Sequence, residues 1–159
     1  MSTVSAPFHR WFSLAGFLLL VIGGGLAIGA ATRPDSWYAA LAKPSFNPPG
    51  WLFGPVWTIL YVLIAVAGWR TWQRLPRGAT AMRLWFLQLA LNFAWSPAFF
   101  GLHRVDLAFG IVVALLASIA AFIAASGRHD RVTALLFAPY LLWVGFATSL
   151  NGAIWRLNG

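Results

Sequence analysis

Residues 44–69 read PSFNPPGWLFGPVWTILYVLIAVAGW. No charge interrupts these 26 residues. A helix needs about 20 apolar residues to cross a hydrocarbon layer ~30 Å thick. The second part of the stretch is long enough for one crossing. The first part, with prolines 44, 48, 49 and 55, cannot continue a helix backwards and reads as a loop. A stiff aromatic loop leading into an apolar helix is therefore the unit from which the fold is read.

The pattern recurs. Charge-free runs also cover 11–32, 84–102, 107–127 and 132–155, with lengths of 22, 19, 21 and 24 residues. The chain of 159 residues is 60% hydrophobic and 9% charged, and it has no Glu. A water-soluble domain carries a far larger charged surface. Backbone polar groups in lipid must be satisfied within the segment, which selects helices, and the alternation of a membrane barrel is absent. The expected fold is an all-α membrane protein: a five-transmembrane-helix bundle with a structured first loop, a single domain over 1–159. Helices are expected near 10–32, 51–74, 80–101, 105–126 and 131–155. The first run is longer than a signal-peptide core and is rich in glycine, which suits a packed membrane helix.

The net charge is +8. The arginines sit at the ends of apolar runs rather than along one face, so they read as interfacial anchors and not as a nucleic-acid surface. With five crossings, the N-terminus and the second and fourth loops share one side, with Arg10, Arg70, Arg74, Arg77, Arg83, Arg128 and Arg131. The other side has Arg33, Lys43, Arg104 and Arg156. The positive-inside rule then puts the N-terminus in the cytoplasm and the C-terminus outside, with a bacterial inner membrane as the default.

All three Asp and all three His lie outside the apolar runs, and Cys is absent. No ionisable group is available at depth for proton coupling, no His for an axial haem ligand, and no metal site or conventional catalytic set. The polar residues at depth are amides and hydroxyls. Gln88, Asn92 and Ser96 recur every four residues beside Trp85, Trp95 and Phe99. Two readings stand: hydrogen bonding between helices, or one wall of a pocket that both bonds and stacks a ligand. Tyr140, Trp143, Ala147 and Asn151 share a face of the last helix, where the small Ala147 leaves room for something flat. Trp57 and Tyr61 share a face of the second helix. Gly23, Gly24, Gly25 and Gly29 point to close helix approach, as do Ala90 and Ala94 on the third helix, where they also offer a weak dimer contact.

Three segments, WYAALAKPSFNPPGWLFGPVWTILY (37–61), LNFAWSPAFFG (91–101) and PYLLWVGFATSLN (139–151), strongly resemble the TspO/translocator protein family, also known as tryptophan-rich sensory proteins or peripheral benzodiazepine receptor-like proteins. The resemblance implies a five-helix bundle, often a homodimer, with a pocket beneath the first loop. It implies porphyrin ligands such as protoporphyrin IX or haem-like tetrapyrroles, or benzodiazepine-type ligands, with no required cofactor. The implied functions are sensing or regulation, with light-dependent porphyrin breakdown or transport as alternatives. Carried onto this chain, the ligand-binding residues are Tyr38, Trp57, Asn92, Trp95, Phe99, Phe100, Trp143, Ala147 and Leu150, to which the stripe reading adds Gln88. Trp57 and Trp143 are the candidates for breakdown chemistry. Two positions depart from the family. Gly152 stands where the sterol-recognition pattern of animal members has Tyr, which argues against a sterol, and Phe46 stands where many members have Trp.

The prolines make the first loop extended and stiff in this reading, so Pro44, Phe46, Pro48, Pro49 and Trp51 are expected to form a preformed lid. Membrane-impermeant thiol reagents should label a cysteine placed in this loop from outside the cell. Labelling only from the cytoplasmic side would reverse the assigned orientation.

Overall fold

A computed structural model describes residues 6–159. Six helices lie among them. Helix α1 covers 6–31 as Ala6–Leu18, a π turn Leu19–Gly23, and Gly24–Ala31, with helical dihedrals at both junctions. The short α2, Ser36–Ala40, lies in the first loop and is capped by Asp35, whose carboxylate accepts from the Tyr38 N–H. Helix α3 is Phe53–Arg74, entered through a 3₁₀ turn at Gly50–Leu52. Helix α4 is Thr80–Ser96 and runs on as a π turn, Pro97–Gly101. Helix α5 is Val105–Gly127. Helix α6 covers 131–158 as Arg131–Leu136 and Ala138–Asn158, broken at Phe137. The break follows from Pro139, which has no N–H to give the preceding turn.

The long helices fall where the charge-free runs place them. Two expectations need amendment. The first loop is not simply extended: it contains α2 and a turn closed by the Asn47 N–H on the Pro44 carbonyl at 3.0 Å. Among the described residues four helices, not five, are long and apolar enough to cross a membrane: Pro7–Ala31, Gly50–Arg74, Val105–Gly127 and Arg131–Asn158. Helix α4 falls short because Gln88, Asn92, Ser96 and Pro97 dilute its apolar character.

Contacts order the long helices α1, α3, α6, α5, α4 in a ring that closes back on α1, with α3 also touching α4. That last contact depends on Gly68. The Trp85 indole lies flat on it, so close that a Cβ there would fall 2.3 Å from the ring, and Trp85 Nε1 donates to the Ile64 carbonyl at 2.9 Å. Trp85, Ile64, Phe122, Phe137 and Tyr140 anchor the larger core. A smaller core of Phe99, Ala98, Val105, Ala108, Leu150 and Ile154 sits towards the first loop. Phe8, Trp11, Leu19 and Leu142 are each more than two-thirds exposed, which suits helices whose outer faces meet hydrocarbon.

Polar groups pair at the two ends of the bundle. At one end Arg70 forms a bidentate pair with Asp130, Arg74 lies 3.4 Å from the same carboxylate, and Thr133 donates to it at 2.6 Å. The N-terminal part of α1 is at this end as well, since Trp69 Nε1 donates to the Arg10 carbonyl at 3.0 Å. The first loop and the C-terminal residues meet at the other end. Burial raises the Asp130 carboxyl pKa, but the Thr133 hydroxyl and the Arg70 and Arg74 cations more than offset it, and the net effect is a lowered value. A lowered folded pKa contributes stability that is complete above the unfolded carboxylate value of about 3.9 and is lost as pH falls below it. Asp130→Asn should therefore lower the unfolding temperature in detergent at pH 7, and the gap from wild type should narrow below about pH 4. A gap independent of pH would show that the ion pairs contribute nothing.

Candidate ligand-binding site

The polar stripe of α4 is fully engaged across helices. Asn92 Nδ2 donates to the Tyr140 hydroxyl at 2.7 Å, and that hydroxyl donates to Gln88 Oε1 at 2.9 Å. Gln88 Nε2 donates to the Trp85 carbonyl at 2.8 Å. Ser96 Oγ and Thr32 Oγ1 share a 2.6 Å bond between α4 and α1. Both Gln88 and Tyr140 are fully buried. Of the two sequence readings, inter-helix bonding is the one this geometry displays.

The remaining residues divide into two aromatic groups. Near the first loop, Tyr38 packs edge-on against Phe99 and Phe100, with centroids 6.0 and 5.2 Å apart. Trp95 lies against both Phe99 and Phe100. Its Nε1 donates to Asn151 Oδ1 at 2.9 Å, and Asn151 Nδ2 donates to the Val105 carbonyl. Leu150 is buried in the same cluster. Between α3 and α6 lies the second group. Trp57 rests against Tyr61 at 5.4 Å and meets Tyr140 edge-on at 6.4 Å. Trp143 lies between Phe53 and Phe146, at 5.7 and 5.5 Å. Ala147 is half-buried one turn further along α6.

A groove of about 390 Å³ runs along the α3–α6 seam, lined by Val56, Ile59, Leu60, Pro139, Leu142, Trp143 and Phe146. The Trp143 ring forms part of its wall, yet Trp143 Nε1 is buried without a hydrogen-bond partner. An unpaired buried donor costs about 1–3 kcal/mol, so its presence calls for a reason.

Of the lid residues, Pro44 and Pro48 are half-buried, and Phe46 meets Phe146 edge-on at 6.2 Å. Pro49 is exposed, and Trp51 is 74% exposed. Two residues that the sequence places on the face with Trp143 and Ala147 prove to be structural, and a third, Asn158, escaped the sequence reading. Tyr140 joins Gln88 to Asn92, Asn151 accepts the Trp95 N–H, and Asn158 fastens the loop. The signal for the first two was present: both lie on the helical face that carries Trp143 and Ala147. Gly25 explains part of the glycine cluster, because a Cβ there would fall 2.4 Å from the Tyr61 ring.

Tyr140→Phe should destabilise the protein by about 1–3 kcal/mol, since it strands the Asn92 amide and the Gln88 carbonyl. Gln88→Leu and Asn92→Leu added to it should recover much of that loss, because nothing buried is then unpaired. Thermal unfolding in detergent checks both, and an unaffected Tyr140→Phe would refute the bonding scheme.

The sequence profile of the TspO/MBR family matches residues 17–156. The chain is 39% identical over 140 residues to the tryptophan-rich sensory protein of Cereibacter sphaeroides, covering 88% of each chain. It is 38% identical over 141 residues to the tryptophan-rich protein TspO of Archaeoglobus fulgidus, covering 88% of this chain and 92% of that one. It is 36% identical over 151 residues to the translocator protein of Homo sapiens, covering 92% of this chain and 88% of that one. With four helices fit to cross a bilayer, this chain is an integral membrane protein and belongs to the TspO/MBR family.

Proposed function

We propose that this protein is a membrane receptor for flat tetrapyrroles of the protoporphyrin IX or haem-like class, held between α3 and α6 beneath the first loop. The observation that carries the reading is Trp143. Its ring walls an apolar seam, and its N–H lies buried with nothing to bond. A macrocycle offers a wide face for Trp143 and Trp57 to stack on and acceptor atoms for that indole N–H. Gln88 and Asn92 already bond Tyr140, so they set the position of the walls in this scheme. Arg33, exposed near the loop, is the cation best placed to meet a propionate, because the ammonium of Lys43 is taken up by the Tyr38 and Leu41 carbonyls. Benzodiazepine-type molecules share the flat apolar character and are the alternative ligand class.

Two relatives are named for sensing and for translocation, and both names suit a binding protein without its own catalytic groups. Sensing or regulation is the reading adopted. Light-dependent breakdown is a second reading, supported by the oxidisable Trp57 on α3 and Trp143 on α6, each packed in an aromatic cluster. We extend the membrane crossings to α4: its 22 residues over 80–101 span about 33 Å, which is enough for a bilayer. Five crossings and the arginine bias then place the N-terminus in the cytoplasm, in a bacterial inner membrane. Ala90 and Ala94, both exposed on α4, offer the close-approach face of a homodimer.

Protoporphyrin IX titrated into purified protein should quench tryptophan fluorescence saturably. Trp143→Phe keeps an aromatic wall but loses the N–H and should weaken binding about three- to tenfold. Trp143→Ala should weaken it further. Absent saturation, or equal affinity in all three proteins, refutes the site.

A further inference from the structure

The first loop is fastened to the bundle at two places and braced within itself at a third. At its start, Asp35 Oδ2 lies 3.1 Å from His103 Nε2, and the Trp37 ring stacks on His103 with centroids 4.2 Å apart. At its middle, Lys43 Nζ donates to the Tyr38 and Leu41 carbonyls and sits over the Tyr38 ring. Between them a single side-chain amide holds the backbone of Ala42. Asn158 Oδ1 accepts the Ala42 N–H, and Asn158 Nδ2 donates to the Ala42 carbonyl, both at 2.9 Å. The same Nδ2 also donates to the Ile154 carbonyl at 2.7 Å, which fixes the amide on the last turn of α6. Lifting the loop would break the His103 and Asn158 contacts together.

The α3–α6 seam has the opposite character. Its far end is closed by Arg70, Asp130 and Thr133. Beyond Thr133, no hydrogen bond among the described residues crosses from α3 to α6. Helix α3 packs mainly against Arg131–Leu136 and only sparsely against the rest of α6. What faces the gap is aliphatic or aromatic, and Ile59 and Leu142 are 61% and 76% exposed on its outer rim. Helix α6 is interrupted at Phe137, two residues before Pro139 on the groove wall. Between its ends α6 is hydrogen-bonded to α4 through Tyr140 and Asn151 but meets α3 by dispersion alone, so these two helices can part along the seam at low cost. Outward movement would also uncover the buried Trp143 N–H.

We propose that the ligand reaches its site laterally from the hydrocarbon layer, through the α3–α6 seam between Val56–Leu60 and Pro139–Phe146, while the first loop stays fastened. This rests on the tetrapyrrole reading above. It makes the first loop a fixed roof and the seam the moving part. It also selects for ligands that partition into a bilayer.

The chain has no cysteine, so introduced pairs report cleanly. One variant carries Ile59→Cys and Leu142→Cys across the seam. A second carries Ala42→Cys and Asn158→Cys, which replaces the loop fastening with a covalent one. Each is cross-linked with a cleavable bis-maleimide, and protoporphyrin IX is delivered from liposomes while tryptophan quenching is followed in time. Locking the seam should slow both uptake and release about tenfold or more, with full recovery on cleavage, while locking the loop should leave both within about twofold. An unchanged rate with the seam locked overturns the route, and so does a loop lock that slows uptake as much as the seam lock. Faster release from protein loaded before seam locking also overturns it. Absent quenching in the wild-type protein refutes the tetrapyrrole site itself, and the route with it. Quenching that persists at an unchanged rate under the seam lock refutes the route alone.

Discussion

The Tyr140 hydroxyl is the point on which the interior of this bundle depends. Hydrocarbon offers no partner to a polar group, so an amide placed at depth must be met by another helix. Asn92 gives its proton to Tyr140, and Tyr140 gives its own to Gln88. One side chain on α6 thereby satisfies two on α4 and fixes the rotation of each helix about its axis. The walls then follow. With α6 oriented by Tyr140, Trp143 is carried to the α3 seam, and Asn151 is carried round to accept the Trp95 N–H.

Against this background of satisfied groups the Trp143 N–H is buried without a partner, as are the Ser126 hydroxyl near the end of α5 and Asn47 Oδ1 in the first loop. Trp95, Trp85 and Trp69, elsewhere in the bundle, all place their indole N–H groups on oxygen. An unpaired donor on a wall that packs loosely against the facing helix is how a binding site differs from a core: one is left incomplete, the other is closed. The same contrast separates the two ends of the seam. Charge pairing at Asp130 closes one, a side-chain amide at Asn158 holds the loop over the other, and only apolar surface lies between.

Much of this could be read along the chain. The helix positions follow from runs without charge, because the length of a crossing is set by bilayer thickness and rise per residue. The shared faces of Gln88, Asn92 and Ser96, and of Tyr140, Trp143 and Asn151, follow from helical periodicity alone. Less legible was the first loop. Its prolines announce stiffness, but α2 within it depends on an Asp35 cap, and its rigidity owes as much to Asn158, more than a hundred residues away. Long-range pairs of that kind leave no mark on local composition.

The sequence by itself determined that this is a helical membrane protein, where its helices lie, and that its chemistry at depth rests on aromatic rings and amides rather than on charges. Those properties are carried by residue type and spacing. Only the tertiary structure decided which polar groups are already taken and which remains free. It showed Gln88 and Asn92 consumed by Tyr140, Trp51 exposed, and Trp143 left with an unmet N–H beside a seam held by apolar contact. The reason is physical: a hydrogen bond depends on the distance between two atoms on different helices, and helix packing sets that distance.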